Sequence, residues 1–220
     1  MRQPLGVILA GGLATRMGGG DKGLLMLGGQ SLLSRVADRL SPQVAGLALN
    51  ANGDAARFAH LGLPVVADSI EGFAGPLAGV LAGLDWAAEH DADAIVTAAA
   101  DTPFFPRDLV ERLLAASAGQ RYPLVLATTP KGAGEGGVLK SEGAAAGQRR
   151  GRSNRHPTFG LWPVALREDL RAALEGGLRK VVLWTDAHDG REASFDAVPF
   201  DPFFNVNTPE DLARAEALLK

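Results

Sequence analysis

The sequence predicts an α/β fold, a three-layer sandwich built on a mainly parallel, Rossmann-like sheet. Three observations carry this: short apolar runs closed by turn residues alternate with segments of helical periodicity, a glycine-rich stretch follows the first run directly, and the last segment is a clearly capped helix. In such folds ligands gather at the carboxyl ends of the strands.

The first strand is Leu5-Gly6-Val7-Ile8-Leu9, an apolar run that stops at glycines. Further strands are expected over Val44 to Leu49, Pro64 to Ala67, Ala94 to Ala99 and Pro123 to Ala127, each short and bounded by polar or turn residues. Between them Leu32, Leu33, Val36, Ala37 and Leu40 recur at helical spacing, as do Leu77, Val80, Leu81, Leu84 and Ala88. A third helix begins near Arg107, just past Pro106, with Leu109, Val110, Leu113 and Leu114 on one side. The final helix has Thr208 as cap, Pro209 in its first turn, Asp211 three residues after the cap, and Leu212, Ala215 and Leu219 as its apolar stripe.

At 220 residues, 46% hydrophobic and 21% charged, the chain suits one globular domain spanning 1–220. A net charge of -3 gives no general attraction to nucleic acid or to an anionic membrane, so neither is expected as a partner. The absence of cysteine excludes disulfides, thiolate catalysis and thiolate metal sites, and the four histidines lack metal-ligand spacing. Any metal is then a hard cation on oxygen ligands. The run Leu5 to Ala10 is too short for a signal segment or a span, so a cytoplasmic location is expected.

Lys131 to Arg155 breaks the pattern, with seven glycines, six Lys/Arg, two Glu and almost no large apolar residue. It reads as a flexible basic loop in which Arg149, Arg150, Arg152 and Arg155 could face an anion or a partner protein, or simply stand in solvent.

The densest chemistry lies in Leu9-Ala10-Gly11-Gly12-Leu13-Ala14-Thr15-Arg16-Met17-Gly18-Gly19-Gly20-Asp21-Lys22-Gly23, where six of fifteen residues are glycine. Glycines let amide N–H groups converge on an anion, and Arg16 and Lys22 add full charge, so this loop can wrap a triphosphate. It is not a P-loop, because Lys22 is flanked by Asp21 and Gly23, and no strict G-x-G-x-x-G opens a helix. Asp101 follows the strand Ala94 to Ala99 and so falls at the carboxyl edge, where a carboxylate could hold magnesium or cap the turn at Thr102-Pro103.

The motif L-A-G-G-x-x-x-R-M-G-G-x-D-K-G resembles that of nucleotidyltransferases that consume a nucleoside triphosphate and release pyrophosphate, and most of all the molybdenum cofactor guanylyltransferases. The likeness continues through Asn50-Ala51-Asn52, Asp68-Ser69, Gly75-Pro76-Leu77-Ala78-Gly79, Asp101-Thr102-Pro103, His156-Pro157-Thr158 and Phe204-Asn205-Val206-Asn207-Thr208-Pro209-Glu210-Asp211-Leu212, nearly the whole chain. It implies the nucleotide-diphospho-sugar transferase type of fold and transfer of GMP from GTP to the phosphate of the molybdenum-cofactor pterin.

The resemblance further implies that Leu9, Ala10, Gly11, Gly12, Lys22, Asn50, Asp68, Gly75, Pro76, Leu77 and Asp101 bind the nucleotide. Arg16, Lys22 and Asp101 would be catalytic, Asp101 and Asn207 would hold Mg2+, and His156 and Asn205 would face the acceptor. Implied partners are GTP, the pterin, and proteins that deliver or insert the cofactor. Cytidylyl relatives usually carry A-A-G where this chain has Ala10-Gly11-Gly12 and lack the G-P-L-A-G form. A sugar-phosphate nucleotidyltransferase and a GTP-binding adaptor without turnover stay open as alternatives.

Overall fold

The computed structural model describes residues 2–11, 21–70, 72, 75–131 and 153–219. In chain order these form β1 (Leu5–Leu9), β2 (Met26–Leu27), β3 (Gln30–Ser31), α1 (Leu32–Leu40), β4 (Leu47–Asn50), β5 (Val65–Val66), α2 (Pro76–Glu89) and β6 (Ala94–Ala99). There follow α3 (Leu109–Ala116), β7 (Val125–Pro130), β8 (Ser153–Pro163), α4 (Arg167–Glu175), α5 (Val181–Ala187), β9 (Arg191–Ser194) and α6 (Pro209–Ala217).

Seven strands share one sheet in the order β5-β4-β1-β6-β8-β7-β9. From β5 through β6 all neighbours are parallel. β8 then runs antiparallel to both β6 and β7, and β9 returns parallel to β7. The chain winds outward from β1 to β4 and β5, then crosses back to place β6 on the other side of β1. That reversal opens a crevice at the carboxyl ends of β1 and β6.

Alternation along β1 and β6 produces the layers. Ile8, Val96 and Ala98 enter a core with Leu33, Val36 and Leu40 of α1 and Leu109 and Leu113 of α3. Val7 and Ile95 point the other way, into a core with Leu77, Val80, Leu81 and Leu84 of α2, Leu170 and Leu174 of α4 and Trp184 of α5. Adjacent strand residues thus serve opposite helix layers, as period-two geometry requires. Ser31 starts α1 by accepting the Ser34 N–H at 3.0 Å. α6 has the expected capping box, with Thr208 accepting from the Asp211 N–H at 3.2 Å and Asp211 accepting from the Thr208 N–H at 3.0 Å. Ala215 and Leu212 pack on Leu27 and Leu32, but the helix ends at Ala217 and leaves Leu219 40% exposed.

Three expected strands shift. Val44 closes a 3-10 turn onto the Ser41 carbonyl, so pairing begins at Leu47, while the Pro64 to Ala67 strand contracts to Val65–Val66 and the Pro123 to Ala127 strand moves to Val125–Pro130. The larger correction concerns Lys131 to Arg155. Ser153 to Arg155 belong to β8, and Arg155 is held by Glu192 at 2.7 Å and Asp186 at 2.8 Å. Two carboxylates thus hold Arg155 in the sheet, while Arg149, Arg150 and Arg152 of the expected cluster are not among the described residues. The rest of that basic segment, 132–152, lies outside the described residues.

β8 escapes a sequence reading because it opens Ser153-Asn154-Arg155-His156-Pro157 and lies between two strands. Proline is excluded from ordinary central strands because it removes a ladder donor. Here the register jumps: Leu126 faces Gly160 while the next residue, Ala127, faces His156. Pro157 sits in that bulge, where no ladder bond is lost. Pairing between β8 and β6 stops at Thr97 and Gly160, so the two strands separate toward the carboxyl end of β6. The buried Trp162 indole N–H, donating to Thr97 Oγ1 at 2.9 Å, pins the joined half.

Candidate active site

A cavity of about 780 Å³ occupies this crevice, lined by Leu9, Ala10, Gly11, Lys22, Asn50, Asn52, Asp68, Ile70, Gly75, Pro76, Ala99, Ala100, Asp101, Thr158 and Asn205 among others. Its floor is continuous with the sheet: the Ala10 N–H donates to the Asn50 carbonyl at 2.9 Å and the Ala100 N–H to the Leu9 carbonyl at 3.1 Å. Small residues where β1 and β6 end leave room for a flat ligand against the backbone.

At one end stands Asp68, just past β5. Its Oδ1 accepts from Asn50 Nδ2 at 2.9 Å and its Oδ2 from Asn52 Nδ2 at 2.8 Å. Asn52 Oδ1 also accepts the Asp68 N–H at 2.9 Å, so backbone and side chain are both fixed. Each carboxylate oxygen retains acceptor capacity for a ligand N–H. Asn50 is only 3% exposed, and its amide lies against Gly79 on α2, where a Cβ would overlap it. Gly75 enters α2 at φ 144°, a conformation that side chains strongly disfavour, which explains glycine before Pro76.

At the centre, the Lys22 ammonium donates to Asp101 Oδ2 at 3.1 Å and also contacts Asn207 Oδ1. Three distant segments meet here, and backbone bonds hold them. The Val206 N–H donates to the Asp101 carbonyl at 2.8 Å, and Asp211 accepts the Asn207 N–H at 2.9 Å as part of the α6 cap. The α6 cap therefore also places Asn207. Asp101 and Asn207 present two hard oxygens to a single point now filled by an ammonium, a donor set that suits magnesium completed by water and phosphate. Among the described residues there is no group of three or more His, Cys, Asp or Glu that could hold a metal ion.

At the far end are Thr158, presented by the β8 bulge, and Asn205. Thr102 is wholly buried, with Oγ1 3.2 Å from Asp101 Oδ1 and 2.6 Å from Asn205 Oδ1. One hydroxyl proton cannot serve two acceptors. Turning the Asn205 amide over, a choice not fixed by heavy-atom positions, satisfies both contacts: Nδ2 donates to Thr102, and Thr102 donates to Asp101. The Asn205 carbonyl oxygen is then free for a ligand.

The structure thus gathers Leu9, Ala10, Gly11, Lys22, Asn50, Asp68, Gly75, Pro76, Asp101 and Asn205 around one cavity, with Asn207 on Lys22. Gly12 and Arg16 lie outside the described residues. Two expected residues point elsewhere. Leu77 belongs to the core-facing stripe of α2 and is 2% exposed, so its side chain is not a cavity group. His156 does not line the cavity: it stacks on Phe203 at 4.2 Å and bonds Thr129 Oγ1 through Nε2 at 2.9 Å. Burial pushes its pKa down, against a smaller upward pull from Asp201. Asn52, Thr102 and Thr158 sit inside recognisable motifs without standing out as site residues. The run Ala98-Ala99-Ala100 was the available signal for a close backbone approach at β6.

A glycine-rich sequence after the first strand, a cation and a carboxylate at the switch point, and side-chain oxygens converging on that cation mark a nucleotidyltransferase-type α/β fold. Solved structures agree on the fold. Molybdopterin-guanine dinucleotide biosynthesis protein A from Archaeoglobus fulgidus superposes with a TM-score of 0.67 at 22% identity, covering 98% of each chain. A 4-diphosphocytidyl-2C-methyl-D-erythritol synthase from Anaerococcus prevotii gives 0.68 at 14% identity, covering 99% of this chain and 96% of that one.

Sequence relatives are much nearer. A molybdenum cofactor guanylyltransferase of Bradyrhizobium sp. (strain ORS 278) is 50% identical over 216 residues, 97% of this chain and 92% of that protein. One from Rhodopseudomonas palustris (strain BisB5) is 51% identical over 215 residues, 96% and 92% of the two chains. The model of the MobA-like NTP transferase domain matches residues 6–189, and the chain belongs to this family of nucleotidyltransferases. Among the described residues, no helix is long and apolar enough to cross a membrane.

Proposed function

We propose that the chain, acting as one domain, transfers GMP from GTP to the terminal phosphate of the molybdenum-cofactor pterin. A phosphate oxygen of the pterin attacks the α-phosphorus of GTP in line, the bond from the α-phosphorus to the bridging oxygen breaks, and pyrophosphate leaves with that oxygen. The observation that carries this reading is the meeting of Lys22, Asp101 and Asn207 midway along the cavity, between the Asp68 end and the Asn205 end.

The base belongs at Asp68, whose fixed carboxylate matches the N1–H and N2–H donors of guanine, with Asn50 and the Gly75-Pro76 backbone beside it. The backbone of Leu9 to Gly12, with Lys22 and Arg16, takes the phosphates. Asp101 and Asn207 would hold magnesium, which supplies charge neutralisation on the phosphate oxygens. Lys22 carries a compact charge on a flexible stem and exchanges its two present partners for phosphate oxygens. No general base is required, since the attacking phosphate is already anionic, and alignment and charge compensation carry the rate. Asn205 and Thr158 face the acceptor.

Pyrophosphate release with purified pterin and each of GTP, CTP and ATP tests this. Release that needs both GTP and pterin is expected. Equal release with CTP contradicts guanylyl transfer, and tight GTP binding without release would make the protein an adaptor.

A further inference from the structure

Beyond the residues just assigned, one arginine touches both ends of the nucleotide site. Arg57 lies in the 3-10 segment Ala55–Leu61 after β4. Its Nη2 donates to the Asn52 carbonyl at 2.6 Å. Its buried Nε stands 2.6 Å from Asp21 Oδ2, off hydrogen-bond alignment, so that contact is a charge pair. The guanidinium lies 4.7 Å from the ring centre of Phe58, a core residue 2% exposed, which fixes the plane of the fork. Asp21 immediately precedes Lys22, and Asn52 clamps Asp68 through two hydrogen bonds.

We propose that Arg57 is a positioning residue that holds the base end and the phosphate end of the nucleotide site in register, through Asn52 to Asp68 and through Asp21 to Lys22. It has no direct contact with either Asp68 or Lys22 in this chain of bonds and acts through its neighbours. A surface ion pair alone contributes little. This one differs because Asp21 is only 18% exposed and because the same guanidinium also bonds a carbonyl of the opposite arm. Lysine could not replace it, since one ammonium cannot span both partners in a planar fork.

The inference rests on the guanine reading of Asp68, and the test separates the two. Dissociation constants for GTP, for ATP and for inosine triphosphate, which lacks the exocyclic amine, are measured on the full chain and on Arg57→Ala, Arg57→Lys, Asn52→Ala and Asp21→Asn, with thermal midpoints alongside. Arg57→Ala is expected to weaken GTP about tenfold and to cut the preference for GTP over inosine triphosphate about threefold. Asp21→Asn should weaken both nucleotides equally and keep the preference, whereas Asn52→Ala and Arg57→Lys should lose preference. Two results overturn the proposal: Arg57→Ala within about twofold of wild type on both measures, or equal weakening of both nucleotides that merely follows a fallen midpoint. Wild-type protein that binds GTP no better than ATP overturns the guanine reading, and this inference with it.

Discussion

The two halves of the sheet meet at the candidate site but are built by different rules. From β5 to β6 the strands are parallel, and β4 and β6 are buried along their whole length. From β8 to β9 polar and apolar residues mix, an antiparallel strand intrudes and a bulge breaks the register. The first half supplies the floor and the Asp68 end of the cavity, the second supplies Thr158, and Lys22, Asp101 and Asn207 meet between them. On the proposed reading, the nucleotide uses the close, rigid backbone that buried parallel strands provide, and acceptor binding depends on where β8 leaves β6.

If the seam is the reacting centre, its substitutions should outweigh all others. Asp101→Ala is expected to lower transfer on the order of 10³-fold while appreciable GTP affinity survives, because charge compensation matters most as the transition state forms. Steady-state rates with parallel GTP titrations check this, and near-normal turnover would remove Asp101 from the metal role. Lys22→Ala should cost about 10²-fold at saturating GTP. Thr102→Val, which keeps the shape and deletes the hydroxyl that links Asp101 to Asn205, should raise the acceptor KM about tenfold with the GTP KM unchanged. Thr102→Ser should restore it, and an equal change in both constants would make Thr102 merely structural.

Effects shrink away from the seam. The buried, neutral form of His156 is favoured by folding, so its folded pKa lies below its unfolded value near 6.5. Its contribution is therefore present above that value and is lost as pH falls toward the lower, folded pKa. Thermal midpoints between pH 8 and pH 5 should decline more steeply for wild type than for His156→Gln, and parallel slopes would contradict the assignment. Least affected should be Arg155→Ala, which removes half-exposed pairs to Asp186 and Glu192 and should cost about 0.5 to 1 kcal/mol by denaturant titration, with GTP binding intact.

Legibility followed the same division. β1 and β6 were readable to the residue because a buried parallel strand is a local apolar run, and α6 because its cap is spelled out by Thr208, Pro209 and Asp211. Lys22 stood out as a cation in a glycine-rich loop and Asp101 as a carboxylate at a strand's end, whereas Asn207 was singled out only by the family resemblance, and their meeting over separations of 79 and 185 residues is a property of topology. β8 was hidden because its first residues, Ser153 to His156, are polar and pair only with the last four residues of β7, and Pro157 looks like a loop residue until the bulge is seen. Leu77 and His156 were expected at the cavity for their motifs, yet helix periodicity turns Leu77 inward and the Phe203 ring covers His156. Arg57 carried no local signal at all. An arginine on a short 3-10 segment becomes notable only when Asp21 and Asn52 are found on either side of it.

The central claim is that nucleotide and acceptor occupy the two sides of one seam and are joined there. The most direct measurement is the mass of the product formed from GTP and the molybdenum-cofactor pterin with magnesium. The pterin is expected to gain one GMP unit through its phosphate, with one pyrophosphate released per adduct. Unchanged pterin beside hydrolysed GTP, or an equally abundant CMP adduct when CTP is supplied, would contradict it.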